Sequence, residues 1–536
     1  MAALILMVIM LAGIGLVMAV VAGAKGLAAP IEEEALQEQW KKNSKALGIC
    51  SLLFAGVFLI CMYQNLVSYT YAICVVCFLV CMRYVYQKLE LTLGKQEIFC
   101  GIFMILVSAS TALTDSWVIQ SCNHPMVLLG MLLFTLLGYG QKEERQWLVW
   151  IRSILLFFCE WMISAFAVFG HMRQWRSTKE SGKNTKYILL GVVCGIPMVL
   201  MVIGLLSSAD PIFAHWFSNI FRLNWLWSVI QYIIMFFVGF LGFYGIAYGG
   251  LRALGRKIPL QEKKFEPVVA ITAAVMILMV YMVFVYVQIR YLFLGGVWSL
   301  PKGFTYAEYA RQGFFQLLFV SILNYIMVLG VLTFFRESKA LKVVMTGICL
   351  CTYIMIASSF YRMLLYVKMY DLTFLRILVL YFLIGLAILF FWLLIAMYRE
   401  QVHFLRNTVI TVAVCYLIFA FARPDYWVAT YNYSVNGNLS KEDWCTMAEE
   451  LSLDAAPVLL AHTPWESSEI EKYGEEEQDS QKEYGEEDEY IEYGTEGYCE
   501  YIYKDYICQI QKKKEKLSIR KFNFAVYQAA KAAENK

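Results

Sequence analysis

Residues 303–339, GFTYAEYARQGFFQLLFVSILNYIMVLGVLTFFRESK, decide the fold. From Phe314 to Phe335 this stretch is almost wholly apolar, and at about 1.5 Å per residue it is long enough to span a hydrocarbon core. At its start, Thr305 and Glu308 have the spacing of a capping box, in which each side chain satisfies a free amide of the first helical turn. The stretch therefore predicts one long helix that enters and crosses a membrane.

Four polar residues recur on this helix at helical spacing: Glu308, Gln312, Gln316 and Asn324. This spacing places their hydrogen-bonding groups along one face of an otherwise apolar helix. We expect that face to point at other helices.

The composition extends this conclusion to the whole chain. Of 536 residues, 60% are hydrophobic and 16% are charged, which is too apolar for a single water-soluble globule. The net charge of +3 conceals a segregation, because basic residues collect in loops between apolar runs and acidic residues collect near the C-terminus. This pattern does not favour a nucleic-acid partner. Most of the 15 cysteines lie inside apolar runs, where they act as small hydrophobic residues.

The apolar runs predict an all-α polytopic membrane protein with about 12–13 hydrophobic segments. The first run lacks a positive n-region and is too long for a signal peptide, which indicates an uncleaved helix. The thirteen segments are Ala2–Gly23, Leu47–Tyr63, Ser68–Tyr86, Ile98–Thr114, Pro125–Tyr139, Leu148–Gly170, Tyr187–Leu206, Trp225–Leu254, Pro267–Tyr291, Phe314–Phe335, Val343–Leu365, Phe374–Tyr398 and Leu405–Phe421.

We divide the chain into five regions on the same pattern. They are an N-terminal helix with a polar connector (1–45), an N-terminal membrane half (46–186), a C-terminal membrane half (187–422), an extracytoplasmic amphipathic helical segment (423–462) and an acidic then basic tail (463–536). Within the tail, residues 466–500 combine low hydrophobicity with high charge, which predicts disorder. The basic end after it either folds as a short helix or pairs with the acidic run.

Lysine and arginine in short loops set the orientation, because such loops stay cytoplasmic. Four loops in the second half of the chain agree on this basis and place everything after Phe421 outside. The first half agrees with them only if one crossing is removed. The segment Leu148–Gly170, which contains Arg152 and Glu160, is the one to remove, and we hypothesise that it lies in the interface or re-enters instead of crossing.

This topology brings charged residues of both signs to the outer face, and we expect them to form a hydrogen-bonded polar vestibule. Glu308 is also explained as a capping partner, Arg311 as its ion-pair partner or a headgroup anchor, and Asp210 as a turn residue before Pro211. Arginines at span ends commonly act as interfacial anchors. The residues concerned are Asp210, Arg290, Glu308, Arg311, Arg362, Lys368, Asp371, Arg423 and Asp425.

Deeper in the membrane lie the uncharged amides Gln231, Gln288, Gln316 and Asn324, which act either as interhelical hydrogen bonds or as part of a ligand path. No phosphate loop, H-E-x-x-H or G-x-S-x-G motif occurs, so no catalytic residue, metal ligand or cofactor is assigned. The candidate binding residues are Asp210, Gln288, Arg290, Glu308, Arg311, Gln316, Asn324, Asp371 and Asp425.

Five short runs resemble a known family in the same order along the chain. They are SSADPIF at 207–213, QIRYLFLGG at 288–296, TYAEYARQGFF at 305–315, RPDYWVATYN at 423–432 and LSLDAAPVL at 451–459. Together they resemble the bacterial integral membrane family of domain of unknown function 4173, over roughly residues 191–460. This resemblance implies a multi-span protein of the bacterial cell membrane and no particular activity.

Three functions remain open on the sequence. The first is binding, sensing or transport of a small or lipid-like molecule through an outward-facing polar site. The second is an intramembrane transferase acting on a lipid-linked substrate, with Asp210 or Glu308 as general base and arginines holding phosphate. The third is an envelope scaffold whose acidic tail recruits a basic protein or cations. We favour the first, because intramembrane amides are present and catalytic motifs are not.

Overall fold

The computed structural model describes residues 33–139, 147–175, 202, 206, 208–210, 213, 224–254, 263, 265–290, 314–399, 402–437, 440–465 and 495–534. Within these ranges the chain is α-helical apart from short turns and one isolated β-bridge, between Phe265 and Phe335. The predicted span Ala2–Gly23, the sites Glu308 and Arg311, most of the span Tyr187–Leu206 and residues 466–494 lie outside the described residues.

Seven helices form a first packing unit. Its centre is aromatic, with Phe54, Phe78 and Phe243 in mutual ring contact and fully or almost fully buried. The helices are α1 (Glu33–Met62), α2 (Thr70–Lys88), α3 (Lys95–Ser110), α4 (Trp117–Gly138), α5 (Trp147–Ala165), α6 (Ala167–Trp175) and α7 (Asn224–Leu254).

Five helices form a second unit. Its core is held by residues such as Leu383, Phe390 and Leu393, which are completely buried against Met345 and Ile348. The helices are α8 (Pro267–Gln288), α9 (Phe314–Phe334), α10 (Lys339–Tyr370), α11 (Phe374–Tyr398) and α12 (Phe404–Phe421).

The remaining helices form a C-terminal domain, residues 424–465 and 495–534. Trp444 lies at its centre, donates from Nε1 to the Leu459 carbonyl at 2.9 Å and contacts the rings of Tyr503 and Tyr506. The helices are α13 (Pro424–Asn436), α14 (Lys441–Glu450), a 3-10 turn (Leu453–Ala455), α15 (Ala456–Ala461), α16 (Thr495–Glu515) and α17 (Phe524–Glu534).

Ten of the described helices are long and apolar enough to cross a membrane. These ten helices include α5. The helix α3, with 16 residues, is shorter than the usual length of a membrane-spanning helix. Large apolar side chains remain exposed along the spans, for example Val280 and Phe319 at 67% each, as expected where helices face lipid. These helices confirm the prediction of an all-α polytopic membrane protein.

The bundle has two chemically different ends. At one, which we call the basic end, the loop before α8 and the loop before α10 are joined by the Phe265–Phe335 bridge and by ion pairs. Glu337 pairs with both Lys263 and Lys342 there, and these lysines lower its pKa. At the opposite end, the domain end, the C-terminal domain packs on the loops that follow α1, α3 and α10.

The helix α5 stays in the half of the bundle near the basic end. Its first residue, Trp147, donates from Nε1 to Thr333 Oγ1 at 2.7 Å, one residue before the end of α9. At its other end, α5 packs closely on Gly245 of α7. A Cβ atom at position 245 would come within 3.1 Å of backbone atoms of both Trp161 and Ala165. Gly245 is nine residues, or about 14 Å, from the basic end of α7. The first residue of α5 therefore lies at the basic end, and its last residues lie about 14 Å further along α7.

The short helix α6 remains at the same depth. His171 Nδ1 lies 2.6 Å from the hydroxyl of Tyr244, again in the half of α7 that leads to the basic end. Glu160 of α5, which is 2% exposed, pairs with Arg252 of α7 at 3.5 Å. Re-entry of residues 148–170 stays a prediction, since α5 is also long and apolar enough to cross a membrane.

Several helix boundaries differ from the predicted ones. The predicted polar connector before residue 46 is part of α1 from Glu33 onward, because Trp40 packs between the rings of Tyr244 and Tyr248. The helix α16 begins at Thr495, inside the stretch 466–500 for which the sequence predicts disorder, and the basic end that follows is largely helical, one of the two predicted alternatives. The apolar residues Cys499, Ile502, Tyr506 and Ile510 recur at helical spacing and bury one face of α16 against the domain.

Candidate functional site

A buried polar group lies where α8 and α10 approach the domain end, and we call Gln288, Ser358 and Arg362 the boundary cluster. The hydroxyl of Ser358 donates to Gln288 Oε1 at 2.7 Å, and Arg362 Nη2 donates to the same oxygen at 3.1 Å. All three residues are buried, with Arg362 only 5% exposed. Gln288 is thus one of the partners of a buried guanidinium.

Local sequence explains why these side chains meet. Ser358 and Arg362 are four residues apart on α10, which places them one above the other on the same face. Gln288 is the last residue of α8, whose first residue, Pro267, lies at the basic end. Arg290 lies two residues further on and donates from Nη1 to the hydroxyl of Tyr286 at 2.9 Å.

The length of α8 places the boundary cluster about one hydrocarbon thickness from the basic end. Gln288 is 21 residues, or about 32 Å, along α8 from Pro267, and a hydrocarbon core is about 30 Å thick. At this depth an arginine side chain reaches the phosphate level of a leaflet. Its planar guanidinium is suited to bind a carboxylate or phosphate oxygen.

Beyond the cluster, α10 continues to Tyr370 and joins the C-terminal domain. Asn432 of α13 forms two hydrogen bonds with the main chain of Leu372, one to its carbonyl and one from its amide, both at 2.8 Å. Asn436 Nδ2 donates to Asp371 Oδ1 at 3.1 Å, and Asp371 adopts the left-handed conformation with φ +64°. The helix that carries Arg362 is therefore fastened at its end to the domain.

A second polar group, the carboxylate junction, lies under the C-terminal domain and consists of Thr114, Arg423, Asp425, Ser452 and Asp454. Asp454 is fully buried, accepts a hydrogen bond from the hydroxyl of Thr114 and pairs with Arg423 Nε at 3.4 Å. Asp425, 3% exposed, accepts from the hydroxyl of Ser452 at 2.5 Å. Asp454 thus pairs with Arg423, which lies two residues before Asp425, and Asp425 bonds to Ser452, which lies two residues before Asp454.

Burial dominates the electrostatics of this junction. Desolvation raises the pKa of Asp454 to about 6, although Thr114 and Arg423 act in the opposite direction. The pKa of Asp425 is also raised, mainly by burial and against the hydrogen bonds from Ser452. Tyr506 lies nearby, and its buried hydroxyl has no hydrogen-bond partner among the described residues. Burial in the junction therefore makes both carboxyl groups easier to protonate than they are in water.

The predicted vestibule residues do not all meet. Gln288 lies in the boundary cluster, with Arg290 next to it, whereas Asp425 lies in the carboxylate junction and Asp371 in the connection between them. Asp210 is exposed, and its amide donates to the Leu206 carbonyl. The site is therefore two separate polar groups linked through α10.

The two predicted amides of α9 have different environments. Asn324 is 1% exposed, donates to Thr352 Oγ1 at 2.9 Å and accepts from the hydroxyl of Tyr281 at 2.7 Å, so it links three helices. Gln316 is exposed. The expectation that the polar face points at other helices therefore holds for Asn324 and does not hold for Gln316, since Phe314 and Leu317 occupy the buried side of that turn of α9.

Sequence reasoning did not select Thr114, Ser358, Ser452 or Asp454 as site residues. Ser452 and Asp454 do occur in LSLDAAPVL, and Arg423 and Asp425 in RPDYWVATYN, so two of the runs that carry the resemblance meet at the junction. Among the described residues, no group of three or more His, Cys, Asp or Glu is placed to hold a metal ion.

A family model described as "Domain of unknown function (DUF4153)" matches residues 101–462, more than half of the chain. This match confirms a domain of unknown function and does not confirm the family 4173 that the sequence runs resemble. It includes the boundary cluster and both acids of the junction, whereas α16 and α17 lie beyond it. Comparison with curated proteins and with solved structures gave no match.

Proposed function

The chain belongs to the DUF4153 family of domains of unknown function, and from this premise we propose that it binds a small or lipid-like molecule with an anionic group at the boundary cluster. Binding there is sensed by the C-terminal domain through α10. The observation that carries this proposal is Arg362, a buried guanidinium bonded to Gln288 about one hydrocarbon thickness from the basic end.

Position and chemistry both support an anionic ligand. A lipid headgroup or the phosphate of a lipid-linked molecule lies at this depth in a leaflet, and arginine binds such oxygens through paired N–H donors. Ser358 provides a hydroxyl next to the guanidinium, which adds a neutral polar contact. Selectivity for an anionic over a zwitterionic headgroup follows from the charge of Arg362.

The connection to the domain supports sensing. Arg362 lies on the helix whose end, through Asp371 and Leu372, is fastened to Asn432 and Asn436. A ligand that shifts this helix changes the position of α13, because the two hydrogen bonds at Leu372 resist independent movement.

We also propose that the domain end is extracytoplasmic. The described loops at the opposite end carry Lys263, Arg336, Lys339, Lys342 and Arg399, and short loops rich in such residues are retained in the cytoplasm. The boundary cluster then faces the outer leaflet.

Native mass spectrometry of the detergent-solubilised protein, titrated with phosphatidylglycerol or phosphatidylcholine, tests the binding proposal. We expect Arg362→Gln to weaken binding of the first phosphatidylglycerol about tenfold or more, the effect of losing one charged hydrogen-bonding partner. Lys531→Gln, which removes one positive charge from an exposed position on α17, is the control and should leave binding unchanged. Equal binding by wild type and Arg362→Gln would refute the proposal.

A further inference from the structure

The turn between α16 and α17, residues Lys516–Asn523, presents apolar side chains to the outside. Ile519 is 90% exposed, more than any other large hydrophobic residue in the described part of the chain. Phe522, 38% exposed, lies close by in the same turn, with its ring 5.9 Å from that of Tyr527. In water such exposure is unfavourable, so this turn has the character of a contact surface.

Arg520 fixes the turn at the end of α1. Its guanidinium donates to the carbonyls of Ile60, at 3.2 Å, and Tyr63, at 2.8 Å. Its own carbonyl accepts from Asn65 Nδ2 at 2.8 Å and from the hydroxyl of Ser68 at 3.0 Å. Since α1 is a membrane-crossing helix that ends at Met62, these contacts hold the turn at the edge of the hydrocarbon core.

Asn523 fastens the other side of the turn. Its Nδ2 donates to the carbonyls of Val67 and Thr114, at 3.2 and 3.0 Å, and the amide of Phe524 donates to the Ala112 carbonyl at 2.7 Å. The turn is therefore held on both sides by loops of the bundle, and its outward direction is fixed.

The apolar surface continues onto the bundle. The side chain of Ile60, whose carbonyl Arg520 binds, is 65% exposed on α1. Leu66 and Val67 in the next loop are 50% and 39% exposed, and Trp117 at the start of α4 is 66% exposed. Tryptophan at such a position is typical of the interface between lipid and water.

Basic residues flank the exposed apolar side chains. Lys513 and Lys514 pair with Asp115 and Glu534. Lys516 and Lys521 form no ion pair with the described residues. Lys516 is exposed and Lys521 is half-buried, and lysines beside apolar side chains match the charge and polarity of an anionic headgroup region.

We propose that this turn binds the surface of the leaflet at the domain end, with Ile519 and Phe522 entering the acyl boundary and Lys516 and Lys521 contacting anionic headgroups. Lipid fits better than a protein partner because Arg520 anchors the turn to the boundary of α1, next to side chains that already face lipid. The C-terminal helices are thereby attached to the bilayer as well as to the bundle, independently of any ligand at Arg362.

Site-specific photocrosslinking tests this proposal in the full-length protein. The photoreactive amino acid p-benzoylphenylalanine replaces Ile519, and the protein is placed in nanodiscs of phosphatidylcholine alone or with phosphatidylglycerol added. The same replacement at Tyr501, exposed near the start of α16, is the matched control. Both positions are exposed, so the substitutions leave the packed core intact.

We expect lipid adducts at position 519 and few at 501, with a yield at least threefold higher when phosphatidylglycerol is present. The double variant Lys516→Gln/Lys521→Gln should lower that yield to the value in phosphatidylcholine alone. No lipid adduct at 519, or an adduct with a second protein, would overturn the proposal. A yield that is independent of phosphatidylglycerol would overturn the role of the two lysines.

Discussion

The hydroxyl of Thr114 donates a hydrogen bond to the carboxylate of Asp454, although 340 residues separate the two in sequence. Thr114 lies in the loop between α3 and α4, and Asp454 lies in the 3-10 turn of the C-terminal domain. The carboxylate is fully buried, so this bond joins the membrane bundle to the domain in a place that water does not reach.

Replacing Thr114 with valine should weaken that attachment. The variant retains the shape of the side chain and removes one donor from a buried carboxyl group, which costs about 1–3 kcal/mol. We expect a lower thermal unfolding midpoint and faster proteolysis of the C-terminal domain. Thr446→Val, at an exposed threonine of α14 that bonds only within its own helix, should change neither. Equal shifts in both variants would contradict the interpretation.

Stability should fall as pH rises through the titration of Asp454. Its pKa is raised from 3.8 to about 6, so the folded state holds this proton more tightly than the unfolded state does. The resulting stabilisation is complete below about pH 4 and is lost as pH rises through about 6, and it amounts to about 3 kcal/mol. The raised pKa of Asp425 acts in the same direction.

Unfolding midpoints at pH 4.5 and pH 7.5 provide the measurement. The difference in unfolding midpoint between wild type and Asp454→Asn isolates the contribution of the Asp454 carboxyl group, because asparagine does not titrate. We expect the variant to gain stability relative to wild type at pH 7.5 and to lose most of that advantage at pH 4.5. An advantage that grows toward pH 4.5 would show that the sign is wrong.

Two amides on α9 provide a matched pair. Asn324→Leu removes the buried hydrogen bonds to Tyr281 and Thr352, and each such bond in a membrane protein contributes about 1 kcal/mol. Gln316→Leu changes an exposed residue of the same helix. Thermal unfolding in detergent should show a loss of stability for the first variant and no loss for the second. A similar loss in both would indicate that Gln316 has a partner of its own.

The re-entry hypothesis for α5 and α6 predicts which side the flanking segments occupy. If this pair re-enters, residues 142 and 183 lie on the same side of the membrane as Lys263 at the basic end. Single cysteines at these three positions, labelled in oriented vesicles with an impermeant maleimide, should react from one side only. Labelling of 142 and 183 from opposite sides would mean that this pair crosses the membrane.

The membrane segments could be predicted from the sequence because hydrophobicity is a local property. The span from Phe314 ends at Phe334, within one residue of the predicted end. The burial of Asn324 also followed from its place on an apolar helix.

What escaped prediction depends on contacts between distant segments. The polar start of α1 is helical because Trp40 packs on α7, and α16 is ordered because its apolar face finds a core around Trp444. Arg362 was recognised as an end-of-span arginine, but its pairing with Gln288 requires the register of α8 against α10. The relative position of two packed helices cannot be deduced from the hydrophobic pattern of a single sequence.

The most direct test of the central claim is hydrogen–deuterium exchange of residues 371–373 and of α13 in nanodiscs, with and without phosphatidylglycerol, in wild type and in Arg362→Gln. If the boundary cluster binds an anionic group and α10 transmits this to the domain, the lipid should change exchange at Leu372 and along α13 in wild type and leave the variant unchanged. The same lipid-dependent change in both proteins, or none in wild type, would contradict the account.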